Sequence, residues 1–501
     1  MKARLIGRKL ESGSSTLEIL IAFSVLILTF TAVIAVAFGN QTSALYTELN
    51  HQALYKAEKE LENARALSRQ DFNSVLPIAP TADDIYLKTL LVDDLTQCLK
   101  RATSTITWQT DAGRPQKIEL ATMLADIAGA IALGGDCLAD PAGGDWINPL
   151  TFVSRDIEPP GNPASDLDVA GKIIYLTGGL TGPTSRPDFF ILDARSLVLG
   201  NPSSIPIVSS ISTGDGLMAV DFASTSPTKA YAFVANDEDA TSNQLQVIDV
   251  GSISNPILVS QATLPGVSGS CPYTCPGGKS IFYYDHTVYI GTHRLVGASK
   301  HELHVYDVSD PTAPVWQWSY KLDHNVNKII VREQNIGGVT KRFTYLATSA
   351  DNGEVIILDI TDPSNIKEYR FNANGNEDGR TIFLIGNKLY LGRDRTPSGR
   401  SDFFVLDVTN PAAITILGEK RLGLNSGSYV AGIRVSGRFG FLAINDPNDG
   451  FRVYDVSNPA NMPRISTYNF SQKTTGIDFD GEYVYTSNES NDALRIIYDA
   501  P

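Results

Sequence analysis

The chain has 501 residues, a length that suggests two or three structural units rather than one core. Its formal charge of -14 argues against a phosphate-binding surface as the main function, so no nucleic-acid partner is expected. Forty-one glycines and 26 prolines favour many turns.

The first element is membrane-like. A basic head, residues 1–13, carries Lys2, Arg4, Arg8 and Lys9 and precedes an apolar run from Ile19 to Phe38, long enough to cross a bilayer as a helix. Glu18 is the ionised residue beside that run, and a carboxylate there is expensive without a partner. A cut after Gly13 would make Ser14 residue one, with a new amino group able to pair with Glu18 of a neighbouring subunit.

This basic leader, Gly13, Glu18 and unbroken apolar helix together resemble the prepilin signal of type IV pilins and of the pseudopilins of type II secretion. The resemblance implies cleavage between Gly13 and Ser14 by a prepilin peptidase on the cytoplasmic side, and a methylation motif at the new terminus. It also implies insertion in the cytoplasmic (inner) membrane with an extracytoplasmic head, then packing against other pilin subunits through Glu18. Ser14 stands where the family usually carries Phe or Met, and the usual helix-kinking Pro is absent. The alternative is an ordinary secretory signal or single-pass anchor, but the run is longer than a signal core and no small-residue cleavage site clearly follows it.

Beyond Phe38 the chain turns amphipathic without a break. Leu45, Leu49, Ala53, Ala57, Leu61, Ala64 and Leu67 recur at three- and four-residue intervals, which predicts one helix from about Leu17 to about Ser68, within a segment 14–76 closed by Pro77 and Pro80. At 1.5 Å per residue that helix is about 75 Å long. Residues 77–146 form a small region whose clearest feature is a hairpin, with strands Thr103–Thr110 and Gln116–Leu120 around the turn Asp111–Pro115. This hairpin is expected to cover the apolar stripe of the helix. Cys98 and Cys137 flank it, and in an oxidising compartment a disulfide between them would close a loop of about 40 residues, worth about 3–4 kcal/mol.

Residues 147–501 repeat a strand that ends in Asp before a turn. The copies end at Asp193, Asp249, Asp307, Asp359, Asp407, Asp455 and Asp499, spaced by 44 to 58 residues, the period of four-stranded propeller blades. The last copy lacks a fourth strand, and Thr151–Asp156 is predicted to supply it and close the ring. The repeat resembles the LVIVD family of bacterial β-propellers. The expected fold is therefore α+β and multidomain: a leader (1–13), a long transmembrane or filament-core helix (14–76), a small pilin-like region (77–146) and an all-β seven-bladed propeller (147–501).

Each repeated Asp precedes a Ser/Thr-Asx-Pro or similar turn, where its carboxylate can accept backbone N–H bonds, a structural role. Cys271 and Cys275 lie in a Gly/Pro loop between blades and read as a stapling disulfide. Adding His286 and His293 gives four potential metal ligands, but their spacing is not a standard zinc pattern, so no metal and no cofactor are expected. His286, His293, His301, His304 and His324 crowd one third of the propeller without a nucleophile or carboxylate at a defined spacing, so no catalytic residue is assigned. Acidic loops such as Asn236–Asn243, Asn372–Gly379 and Asn445–Gly450 do not follow the EF-hand ligand order.

The combined expectation is a minor, tip-type type IV pilin displaying a propeller that recognises an extracellular ligand or surface. A pseudopilin-like part of a secretion machine shares the N-terminal features. A membrane-anchored propeller enzyme is the third reading, and converging polar side chains at the central channel would be its mark.

Overall fold

The computed structural model describes residues 14–500 except 71, 97–98, 110–114, 126–143, 158–161, 180–185, 215, 227–228, 237–242, 267–276, 296–299, 337–338, 374 and 398. It divides into two compact units, Met1–Asp126 and Ile127–Pro501.

In the first unit a single helix, α1 (Ser14–Gln70), is followed by a 3-10 turn at Phe72–Ser74 and an antiparallel meander of four strands: β1 (Ile78–Asp83), β2 (Tyr86–Thr96), β3 (Leu99–Gln109) and β4 (Pro115–Ala125). The helix splits by composition. Leu17–Ala37 has a mean hydropathy of 2.8 and is wholly unburied within the unit, long and apolar enough to cross a membrane. The later half lays Ala53, Ala57, Leu61 and Ala64 into the sheet against Tyr86, Leu90, Ala102, Ile106, Trp108 and Leu124. Alanine at 53 and 57 lets helix and sheet approach closely, and Tyr86 fixes the approach by donating its hydroxyl to the Leu49 carbonyl at 3.0 Å. Lys56 to Asp83 (2.8 Å) and Lys88 to Glu60 (3.0 Å) flank this core.

The helix ends at Gln70, two residues past the expected Ser68, and Phe72 and Val75 pack with Leu61 and Ala64 in the core. Leu67 is 40% exposed, so the apolar stripe ends one turn early. The expected hairpin is β3 and β4 of a four-stranded sheet. β1 carries Pro80 on an edge, and β2 is apolar on both faces, with Tyr86 and Leu90 inward and Leu87 and Leu91 outward, so neither shows a clean alternation.

Among the described residues the second unit holds seven four-stranded antiparallel sheets in a propeller-like arrangement, here numbered I to VII in chain order. Their first strands are Ala164–Ala170, Leu217–Ser226, Gly278–Tyr284, Val326–Ile336, Gly379–Ile385, Val430–Ser436 and Thr474–Phe479. Each first strand lies against the first strand of the next sheet, and Thr474–Phe479 lies against Ala164–Ala170. The fourth strand of sheet VII is Pro149–Arg155, paired antiparallel with Leu494–Asp499. The second and third strands are nearly continuous apolar runs, as in Ile173–Gly178 and Phe189–Asp193, because neighbouring sheets cover both their faces.

In sheets I to VI the Asp that ends the third strand closes its turn locally. Oδ1 of Asp193, Asp249, Asp307, Asp359, Asp407 and Asp455 accepts the N–H two residues on, at 2.8–3.2 Å. Asp499 differs: its Oδ2 accepts the N–H of Asp145 at 2.7 Å and ties the start of the unit to its end.

Candidate functional site: a polar cavity ringed by seven bulges

Every one of the seven first strands carries a β-bulge at the same place. The pairing with the second strand slips by one residue at Ser165, Met218, Lys279, Asn327, Arg380, Ala431 and Thr475. A bulge inserts an unpaired residue and re-aims its side chain. All seven bulged residues line a single cavity of about 550 Å³, a size suited to a small-molecule ligand.

The lining is charged and uneven. Lys279, Lys328 and Arg380 come from sheets III, IV and V, whereas Asp166 comes from sheet I and Glu489 from the loop between the second and third strands of sheet VII. Asp394 holds the Arg380 guanidinium at 2.6 and 3.1 Å, and that guanidinium lies 4.9 Å from the Tyr429 ring. Asn327 donates to the Gly379 carbonyl at 2.6 Å while its buried Oδ1 has no partner among the described residues. Lys328 Nζ and Asp166 Oδ2 face each other at 3.7 Å.

Three residues beyond each bulge the first strands carry a second set of equivalent positions. In sheets VII, I and II this position is Asp478, Asp168 and Asp221, and each carboxylate accepts the backbone N–H of the next sheet's first strand. Asp478 takes Val169 N at 2.8 Å, Asp168 takes Phe222 N at 2.7 Å, and Asp221 takes Tyr283 N. Arg434, the equivalent residue of sheet VI, donates Nε to Asp478 at 2.7 Å and lies over the Phe383 ring at 5.6 Å. Sheets III, IV and V carry Phe282, Ile330 and Phe383 instead. Burial in the channel, with the neighbouring Asp478 and Asp221 charges, raises the Asp168 carboxyl well above its usual range. Burial pushes Asp221 up to about 7 against the opposing pull of its hydrogen bond from Tyr283 and the Lys328 charge.

The residues singled out in the sequence lie elsewhere. Gly13, Cys98, Cys137, Cys271 and Cys275 are outside the described residues, as is the side chain of Ser14, the first residue of α1. Glu18 lies on the exposed apolar half of α1. None of the histidines lines the cavity. His286 occupies a left-handed turn position (φ 59°). His301 bonds Ser319 Oγ at 2.7 Å, and His304, fully buried, donates Nε2–H to the His301 carbonyl at 2.8 Å. Burial lowers the His304 imidazole to about 4, which keeps it neutral. No group of three or more His, Cys, Asp or Glu able to hold a metal is found among the described residues. In the loop Asn445–Gly450, Asp446 is taken up by Asn425 (2.7 Å), Ser428 (2.6 Å) and Asn448 N (2.8 Å), and Asp449 by Arg452.

Four segments, residues 229–263, 291–321, 340–370 and 427–469, match the LVIVD repeat model. Sheets II, III, IV and VI carry LVIVD repeats. Each LVIVD match spans the strand, the Asp turn and the fourth strand described above. No curated protein matches the chain. Among solved structures it is similar to the computationally designed Ika8 protein, with 9% identity and a TM-score of 0.44 over 70% of this chain and 99% of that one. It is also similar to a catalytically inactive virginiamycin B lyase from Staphylococcus aureus with quinupristin (12%, 0.41, 70% and 99%). BamB from Moraxella catarrhalis gives 13% and 0.36, over 67% and 83%. Likeness at these identities says nothing of ligand or activity.

Proposed function

We propose that the chain is a minor, tip-type type IV pilin whose LVIVD repeats form a seven-bladed propeller, closed by Pro149–Arg155, that serves as a binding head. The observation that carries this reading is α1. One uninterrupted helix of 57 residues has a bare apolar half fit for a membrane or a filament core, and an outer half whose small-residue stripe is covered by a four-stranded sheet. In this reading Gly13 and Ser14 mark the processing site, Glu18 meets a neighbouring amino terminus, and the head is extracytoplasmic. A propeller of this size fits a rare or terminal subunit better than every subunit of a packed filament. The same features suit a pseudopilin.

The binding surface is the bulge-ringed cavity, where polar groups from several sheets converge with no resident nucleophile–base pair needed. That convergence also favours a second reading, a membrane-anchored propeller enzyme, in which Asp221 with a carboxyl near neutrality would be the group to examine.

Mass spectrometry of sheared surface filaments tests the first reading. A peptide beginning at Ser14 in that fraction is the expected result. Retention of residues 1–13 in the membrane fraction would overturn it and favour the anchored enzyme.

A further inference from the structure

We propose that the central cavity binds a small zwitterion of di- or tripeptide size, with its carboxylate toward sheets III–V and its ammonium group toward sheets VII and I. This deepens the binding-head reading and rests on it.

The argument begins with the charge layout. In a ring of seven, sheets III, IV and V stand across from sheets VII and I. The first arc presents Lys279, Lys328 and Arg380, and the opposite arc presents Asp166 and Glu489; Arg434 of sheet VI also lines the cavity, where Asp478 holds its guanidinium at 2.7 Å. Asp394 fixes the orientation of the Arg380 guanidinium, as a carboxylate-binding group requires. The bulged residues of sheets VI and VII are the small Ala431 and Thr475, which leave the space between the arcs open.

The decisive feature is the pair Lys328 and Asp166. Their charges face each other across the ring at 3.7 Å, beyond hydrogen-bond length, with side chains 30% and 13% exposed. A loose, wetted pair contributes little, so parting it costs little. A zwitterion inserted between them conserves charge: its carboxylate replaces Asp166 as the partner of Lys328, and its ammonium replaces Lys328 as the partner of Asp166. A ligand with one charge would re-partner only one member of the pair, so the site offers it less than it offers a zwitterion.

The test is isothermal titration calorimetry on the full chain in detergent micelles, with triglycine and its amino-acetylated and carboxamide forms. Triglycine is expected to bind, with affinity falling at least tenfold when either terminus is capped. In Asp166→Asn the amino-acetylated and free forms should bind alike, and in Lys328→Gln the amide and acid should bind alike, while both variants keep the wild-type melting profile. Capped forms that bind as tightly as triglycine would overturn the proposal. So would terminal discrimination that survives both substitutions. Binding of glucuronate with none of triglycine would also overturn it, and would leave the binding-head reading standing; the filament test above addresses that reading separately.

Discussion

Asp168 accepts the backbone N–H of Phe222 at 2.7 Å, joining the first strand of sheet I to that of sheet II through a carboxylate placed three residues past a bulge. Asp478 and Asp221 repeat the contact at the adjoining junctions, VII to I and II to III. A sheet-to-sheet seam that apolar packing leaves adaptable thereby acquires a directed bond. Three carboxylates are nonetheless gathered in one channel, and their mutual repulsion and desolvation set a cost that depends on pH.

Asp221 has a folded-state pKa raised to about 7, first by burial. A carboxyl raised on folding stabilises the fold below its unfolded pKa, and that contribution is lost as pH rises through the folded value. Asp221→Asn removes the titration and keeps an acceptor for Tyr283 N. It is expected to change stability little at pH 4.5 and to gain about 1–2 kcal/mol at pH 7.5. Urea unfolding of variant and parent at the two pH values checks the difference.

Arg434 sits beside two of the three carboxylates, donating to Asp478 and attracting Asp168. Arg434→Met should destabilise by about 3 kcal/mol, because Asp478 is left as an uncompensated charge in the channel. Arg434→Met combined with Asp478→Asn should cost less than Arg434→Met plus Asp478→Asn taken singly. A double-mutant cycle by chemical denaturation measures the coupling.

Arg393 is fully buried, forms an ion pair with Glu354 at 2.9 Å and donates a hydrogen bond to Glu377 at 3.0 Å. Glu354 in turn accepts the N–H of Ala373 at 3.0 Å, capping the end of its own sheet. Arg393→Met should lower stability by about 3–5 kcal/mol, since Glu354 keeps its desolvation without its partner. A drop in melting temperature at pH 7 that shrinks when Glu354→Gln is added would show that the unmatched carboxylate is the cause.

Asp499→Ala deletes the bond to Asp145 N while leaving the strand pairing of Pro149–Arg155 with Leu494–Asp499 in place. A loss of about 1 kcal/mol is expected, of the size of one ordinary hydrogen bond, because this one is exposed to solvent. Hydrogen exchange should quicken in residues 145–155 before it does in sheets II to VI. The same substitution at Asp307, which closes only its own turn, should speed exchange only around Ser309.

In the first unit, Ala57 is fully buried against the cluster of Tyr86, Ile106 and Trp108. Ala57→Leu should overpack that contact and cost about 1–3 kcal/mol. The readout is faster hydrogen exchange in β2 and β3, with the apolar half of α1 unchanged.

The seven turn aspartates were legible in the sequence because their chemistry is local: six of them bond a backbone N–H only two residues away, so a strand-Asp-turn pattern is enough to place them. The apolar runs of the second and third strands, the period of the repeat, and the helical stripe of Ala53, Ala57, Leu61 and Ala64 were legible for the same reason. The histidine crowding carried no site assignment in the sequence, and in the fold His286 falls on a left-handed turn and His304 on a buried strand, neither of them lining the cavity.

What the sequence alone determined was the set of locally encoded parts: an apolar helix, an amphipathic continuation, and seven strand-and-turn units. Which side chains meet was decided by tertiary structure. Lys279, Lys328, Arg380 and Asp166 are scattered across more than two hundred residues and share no motif. They line one cavity because each first strand slips its pairing by one residue at an equivalent place, and because the sheets follow one another around a common channel. A pairing slip is set between strands and the channel between sheets, so neither leaves a local signature along the chain.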